Sequence, residues 1–173
     1  MNWRLRRAGP ADAAALSLVA SATFLETFAG MLPGADIVSH CAEKSGPAAF
    51  SAWLADTRSV VVVVAELDGT AAPVGYSVLT TPELPLPTDP EDVELKRIYT
   101  LASTHGCGLG AALMERALSD AASLGRRRML LGVHPENRRA RRFYERRGFR
   151  VIGERVFQVG EQRVLDPIYA GNL

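Results

Sequence analysis

Residues 94–110, ELKRIYTLASTHGCGLG, constrain the fold more than any other segment, because they read as a strand running into a glycine-rich turn that opens a helix. Val93, Leu95, Ile98 and Leu101 form the strand-like run. Gly106, Gly108 and Gly110 permit positive φ and close backbone approach. A helix is predicted from near Leu109, with Leu109, Leu113, Ala117, Ala121 and Leu124 at helical spacing. The turn therefore sits at a helix N-terminus, where unpaired N–H donors and the helix dipole favour an anion such as a pyrophosphate.

The flanking sequence predicts a strand over Trp3 to Arg7 and helices over Pro10 to Phe28 and Asp36 to Asp56, with breaks at Gly34 and Gly46-Pro47. Val60 to Leu67 and Val74 to Leu79 read as a hairpin closed around Asp68-Gly69. A proline-rich loop then leads to the Glu94 strand, and a helix ending at Gly125 leads to a strand over Met129 to Val133. The Asn137 helix ends at Gly148, and Val151 to Val159 with Arg163 to Ile168 reads as a final hairpin. Hairpins mixed with strand-helix-strand units imply an α/β layer structure on a mixed sheet. No repeat or linker divides the chain, so residues 1–173 are expected to form one domain, large enough to build a core without disulfides.

A net charge of +1 gives no global attraction to nucleic acid or to an anionic membrane. No apolar run is expected to approach bilayer-spanning length. Cys41, Cys107 and three scattered histidines match no metal-ligand spacing, so no metal is expected and the cytoplasm is the expected compartment. Cys107 lies inside the glycine turn and reads as a small turn residue, since no paired base accompanies it. The basic residues cluster over Arg126–Arg128 and Arg138–Arg147, which by itself describes a solvated helix face.

Asn137, Ala140, Phe143, Tyr144, Gly148 and Phe149 are spaced N-x-x-A-x-x-F-Y-x-x-x-G-F. With the glycine turn, this closely resembles the GNAT superfamily of acyl-CoA-dependent N-acetyltransferases. Leu5–Ala8, Thr23–Phe28 and Phe157–Gly160 with Asp166 resemble the bacterial polyamine N-acetyltransferase branch. The resemblance implies a GNAT-like single domain, a mixed and mostly antiparallel central sheet flanked by helices, with acetyl-CoA as co-substrate. The family's turn is usually Q/R-x-x-G-x-G/A, and His105 stands here at its first position, where the resemblance implies binding chiefly through backbone N–H groups. The resemblance assigns cofactor binding to Ile98, Tyr99 and Thr100, to the turn His105, Gly106, Cys107, Gly108, Leu109 and Gly110, and to Asn137. Among the basic cluster, Arg142 is the residue expected to reach the CoA phosphates. Members often form dimers, so a homodimer is an open expectation.

The chemistry so implied has an energetic requirement. A primary amine with a pKa of about 10.4 must lose a proton before it attacks a thioester, which costs roughly 4 to 5 kcal/mol at neutral pH. Glu94 is the leading candidate acceptor by resemblance, with an exposed strand Glu paired to Lys96 or Arg97 as the plain structural reading, and Glu26 or a loop carboxylate as alternatives. Tyr144 matches the tyrosine that faces the CoA sulfur in the family. Proton transfer from a tyrosine near pKa 10 to a thiolate near 8.5 is uphill by roughly 2 kcal/mol, which makes hydrogen-bond stabilisation of the leaving sulfur the expected role. Asn137 also reads as a helix N-cap, worth about 1 kcal/mol, and His134 as a strand-end residue rather than a base.

Glu83, Asp89, Glu91, Asp92 and Glu94 form an acidic stretch that either draws a cationic amine or is simply solvated. The expected acceptor is a small-molecule primary amine. Other readings are a protein or peptide amine, or a non-catalytic acyl-CoA-binding sensor. An oxidoreductase is disfavoured because the glycines give G-x-G-x-G rather than G-x-G-x-x-G.

Overall fold

The computed structural model describes residues 2–173. Strand β1 (Trp3–Arg7) leads through a short 3-10 turn to three helices, α1 (Ala13–Phe28), α2 (Gly34–Lys44) and α3 (Pro47–Ala55). The hairpin β2 (Val61–Leu67) and β3 (Pro73–Thr80) precedes β4 (Asp92–Thr100), α4 (Leu109–Ser123), β5 (Arg128–Gly132), α5 (Arg138–Glu145), β6 (Arg150–Val159) and β7 (Gln162–Asn172). All seven strands join one sheet in the order β1-β2-β3-β4-β5-β7-β6. Every neighbouring pair is antiparallel except β4 and β5.

The unbroken valine run of β2 is buried on both faces because helices cover both sides of the sheet. One face packs on α4 and α5, where Leu109, Leu113, Ala117 and Ala121 meet Val61, Val63, Leu95 and Met129. The other takes α1 and α3, with Leu16, Val19 and Phe50 against Val62, Val64 and Val78. Leu124 departs from the expected stripe: α4 stops at Ser123 and leaves Leu124 exposed. Gly34 is the first residue of α2 rather than a break before it, since Pro33 supplies the extended residue that starts the helix. β7 runs to Asn172, beyond the expected Ile168, because its end pairs with β5.

Residues Pro10–Phe28, nineteen in all, contain a window of mean hydropathy 1.2 and so meet the length and composition of a membrane span. This corrects the expectation that no run approaches that length. In the fold, Leu16, Val19, Ala20, Phe24 and Phe28 of this stretch are buried against the sheet and its neighbours.

β4 and β5 pair over three positions only, Asp92 with Arg128, Val93 with Met129 and Glu94 with Leu130, and then part. At the start of the pairing Arg128 donates to both carboxylate oxygens of Asp92, at 2.7 and 2.6 Å. Arg128 holds the Asp92 carboxyl below its usual pKa. A register shift between β3 and β4 leaves Lys96 out of the ladder, increasing the local twist just where β4 leaves β5.

His40 of α2 stacks on Phe24 with centroids 4.1 Å apart. Burial, then Arg97 and Lys44, lower its pKa from 6.5 to about 4. A histidine whose folded pKa is depressed stabilises the fold as the neutral form, and that contribution is lost as pH falls from 6.5 toward 4. The melting temperature of the protein should fall more steeply between pH 7 and pH 5 than that of His40→Phe, measured by thermal unfolding; equal slopes would remove His40 as the cause.

Candidate active site

The parting of β4 from β5 leaves one edge of β4 without a strand beside it, and the turn before α4 closes the mouth of the gap. Gly106 and Gly108 adopt φ of +86° and +85°, a left-handed conformation that a side chain would strain. Gly108 is the N-cap of α4 and carries no side chain to satisfy the first N–H groups, so these donors are left without a side-chain cap. Gly110 is helical, and outside its own helix backbone nothing among the described residues lies within 4 Å of where its Cβ would be, so the position is open to a ligand.

A cleft of about 260 Å³ lies at this junction. Ile98, Tyr99 and Thr100 of β4 form one wall, His105 and Gly110 the mouth, and Asn137, Arg139, Ala140, Phe143 and Tyr144 the opposite wall on α5. Glu26 and Thr27 at the end of α1, with Met31 just beyond it, close the third side. Glu26 accepts a hydrogen bond from the Ala102 N–H at 2.8 Å, which ties α1 to the turn. Asn137 accepts from the Ala140 N–H at 3.1 Å, capping α5 while also lining the cleft.

Tyr144 is 6 % exposed and packs beside Phe143 and Phe149. Burial, and next Tyr99, raise its pKa above the usual tyrosine value, so the hydroxyl keeps its proton across the neutral range. Burial and Arg139 lower the pKa of His105, favouring the neutral ring.

Seven of the residues singled out from the sequence, Ile98, Tyr99, Thr100, His105, Gly110, Asn137 and Tyr144, line this cleft. Gly106, Cys107 and Gly108 shape the adjoining turn, and the Leu109 side chain is fully buried in the core beneath it. Arg142 is exposed and outside the cleft lining; Arg139, one turn earlier on α5, lies there against the His105 ring instead. The spacing of the basic cluster contained Arg139, but only the angular setting of α5 selects it.

Glu94 also lies outside the cleft lining, and at 1 % exposure it is not the solvated strand residue of the plain reading. Its carboxylate accepts from the Glu83 N–H at 2.8 Å and lies 3.6 Å from Lys96 and 3.9 Å from Arg155. The acidic stretch around it is largely paired: Glu83 with Lys96, Glu91 with Arg127 and Asp92 with Arg128, while Asp89 accepts the Glu91 N–H. Such a stretch is not a free anionic funnel.

On the α2-facing side, sequence reasoning missed Arg155. It leaves β6, donates to Asp166 of β7 at 3.4 Å, and crosses Gly132 of β5 to approach Glu94. A Cβ at Gly132 would fall 2.5 Å from the guanidinium. The signal available was the alternation of β7, which puts Asp166 on the buried face with Ile168.

The chain's fold, a seven-stranded α/β sheet parted between two parallel strands above a glycine-bounded helix N-terminus, is matched by solved structures of the N-acetyltransferase class. The paia N-acetyltransferase from Thermoplasma acidophilum, in complex with coenzyme A, is similar with a TM-score of 0.82 at 21 % identity, over 100 % of both chains. The structure of yncA from Salmonella typhimurium with its cofactor acetyl-CoA gives 0.70 at 23 % identity, over 100 % of this chain and 95 % of that one. In sequence, the chain is 35 % identical over 162 residues to an uncharacterized N-acetyltransferase of Mycobacterium tuberculosis (strain H37Rv), covering 94 % of this chain and 98 % of that protein. The acetyltransferase (GNAT) family model matches residues 26–149. The chain belongs to this family and is an acyltransferase.

Gly132→Ala should force Arg155 out of its contacts with Asp166 and Glu94 and destabilise the protein by about 1 to 3 kcal/mol in urea unfolding. An unchanged midpoint would mean that Arg155 has another berth of equal energy.

Proposed function

We propose that this chain transfers the acetyl group of acetyl-CoA to a primary amine of a small molecule, by direct attack of the amine on the thioester. The observation that carries the reading is the cleft itself. An extended β4 edge, a glycine turn with uncapped N–H donors and the Tyr144 hydroxyl side of α5 converge on it, and together they fit the pantetheine arm, the pyrophosphate and the thioester sulfur of one molecule. The solved relatives bound to coenzyme A and acetyl-CoA support the choice of donor.

In this reading the arm lies along Ile98, Tyr99 and Thr100, and a backbone N–H there donates to the thioester carbonyl as it becomes an oxyanion. His105, Gly106, Cys107, Gly108, Leu109 and Gly110 hold the pyrophosphate through the turn backbone, and Asn137 holds the arm from the other wall. Arg139 takes the nucleotide-phosphate role first given to Arg142. Tyr144 donates a hydrogen bond to the departing sulfur; its raised pKa favours this over full proton release. Glu94 contributes buried negative charge on the amine side, although Lys96 and Arg155 compete for its oxygens.

We read the acceptor more finely as a polyamine. The outer motifs support it by meeting in space: Phe24 and Phe28 share one apolar cluster with Phe157 and Val159, against Tyr99 of the cleft. The whole chain, residues 1–173, is taken as the catalytic domain. The unpaired Cys41 and Cys107 favour the cytoplasm. Exposed Val156 and Leu165 on the edge hairpin are where a second copy would seat in a homodimer.

Release of CoA thiol should be observed with acetyl-CoA and one class in a panel of polyamines, amino acids and peptides. Tyr144→Phe should lower kcat by about 100-fold with little change in acetyl-CoA affinity. Acetyl-CoA binding without turnover of any amine would favour the sensor reading. By calorimetry, Arg139→Ala should weaken acetyl-CoA binding about tenfold or more, through loss of a charge-assisted hydrogen bond, while Arg142→Ala leaves it unchanged. The reverse order would return the phosphate role to Arg142.

A further inference from the structure

The α2-facing side of the parted sheet holds a row of buried polar groups for which the fold alone gives no use. The β5–β7 ladder continues one bond past Gly132, from the Val133 N–H to the Pro167 carbonyl, and so brings His134 level with Asp166. Asp166 is also paired across β6–β7 with Arg155. His134, Asp166 and Arg155 thus form one line across three strands, 8 %, 2 % and partly exposed respectively.

The line has both a spare donor and a spare acceptor. His134 Nδ1 accepts from the Glu136 N–H at 3.3 Å, which leaves the proton on Nε2. Nε2 is buried and has no hydrogen-bond partner among the described residues, and the same holds for Asp166 Oδ1 and Arg155 Nε. Asp166 Oδ2 is engaged by Arg155, which leaves Oδ1 as the free oxygen. Buried polar groups rarely stay unpaired, and a neighbouring orphan donor and acceptor are the two partners that a bridging water needs.

The line reaches the reaction cleft through packed side chains rather than by lining it: Tyr99, which lines the cleft, packs with Phe28 and Phe157 in one cluster. Phe28, at the end of α1, sits edge-on to His134 with centroids 5.5 Å apart. The groups that face Asp166 are therefore Arg155 from β6, His134 from the end of β5, Tyr99 from β4 and, through Arg155, Glu94.

Resting on the acetyl-transfer reading above, we propose that Asp166 is the proton acceptor for the incoming ammonium, through a water held between Asp166 Oδ1 and His134 Nε2, with Arg155 and His134 as positioning residues. The ammonium gives one proton to the water, which passes one to the Asp166 carboxylate. The freed nitrogen lone pair forms the C–N bond, the C–S bond breaks, and the second nitrogen proton ends on the CoA sulfur beside Tyr144. Asp166 then returns its proton to solvent, so the sum is amide, CoA thiol and one released proton. Burial raises the Asp166 pKa against the opposing effect of Arg155 and His134, which makes it a stronger proton acceptor than a solvated carboxylate. Glu94, whose oxygens are held by the Glu83 N–H, Lys96 and Arg155, is the less available carboxylate.

The test is the pH profile of kcat/KM for the full chain, by CoA-thiol release with the best amine of the panel, for the wild type, Asp166→Asn, His134→Phe and Glu94→Gln. Acetyl-CoA affinity and thermal unfolding are measured beside each. Asp166→Asn should lower kcat/KM about 100-fold at pH 7, with acetyl-CoA affinity unchanged, and should regain rate as pH rises and the free amine becomes abundant. His134→Phe should lower the rate about tenfold and move the acid limb, and it keeps the proposal testable if Asp166→Asn fails to fold. Glu94→Gln should retain the acid limb. Wild-type turnover with an unshifted limb in both Asp166→Asn and His134→Phe, or a limb lost only in Glu94→Gln, overturns the proposal alone. A wild type that binds acetyl-CoA and acetylates no amine overturns the reading beneath it as well.

Discussion

The site depends on two parallel strands that stay together for three residue pairs and then separate. Parallel pairing between β4 and β5 is held at its base by the two short Arg128–Asp92 hydrogen bonds. Beyond Glu94 no strand among the described residues lies beside that edge of β4, so its peptide groups on that side must find partners elsewhere. An extended ligand arm supplies such partners in the manner of an added strand. The same separation exposes the first turn of α4 and admits α5 from the far side, which is why Tyr144, Asn137 and Gly110 reach one cleft.

The two sides of the sheet at this opening differ in chemistry. Toward α5 the walls are aromatic and amide-bearing, and the charged groups near them, Arg139 and Glu26, stand at the rim. Toward α2 the opening is lined by buried charge: Glu94, Arg155 and Asp166, with Lys96 at the bulge. Buried ions are costly unless paired, and Arg155 offsets that cost by spanning from β6 to β4. It can do so because position 132 carries no side chain.

Much of the fold was legible in the sequence because its signals are local. The valine run of β2, the stripe Leu109–Leu113–Ala117–Ala121 and the Gly46-Pro47 helix start each act within a few residues. The errors arose where a distant partner intervened. β7 outran its apolar pattern because β5 pairs with its end, and Leu124 fell outside α4 although it kept the spacing. The acidic stretch before β4 read either as a field for cations or as a solvated loop, yet three of its carboxylates are paired with Lys96, Arg127 and Arg128, the last two more than thirty residues away along the chain.

By itself the sequence determined the strand, glycine turn and helix of residues 94–110, and the N-x-x-A-x-x-F-Y spacing that caps α5 and sets Tyr144. These follow from backbone conformations and helical periodicity, which short segments encode. Tertiary structure alone decided that Arg139 and not Arg142 faces the cleft, that Glu94 is tethered, and that His134, Asp166 and Arg155 form one row. Those outcomes depend on the rotation of a helix about its axis and on register between strands far apart in the chain, quantities that only the packed sheet fixes.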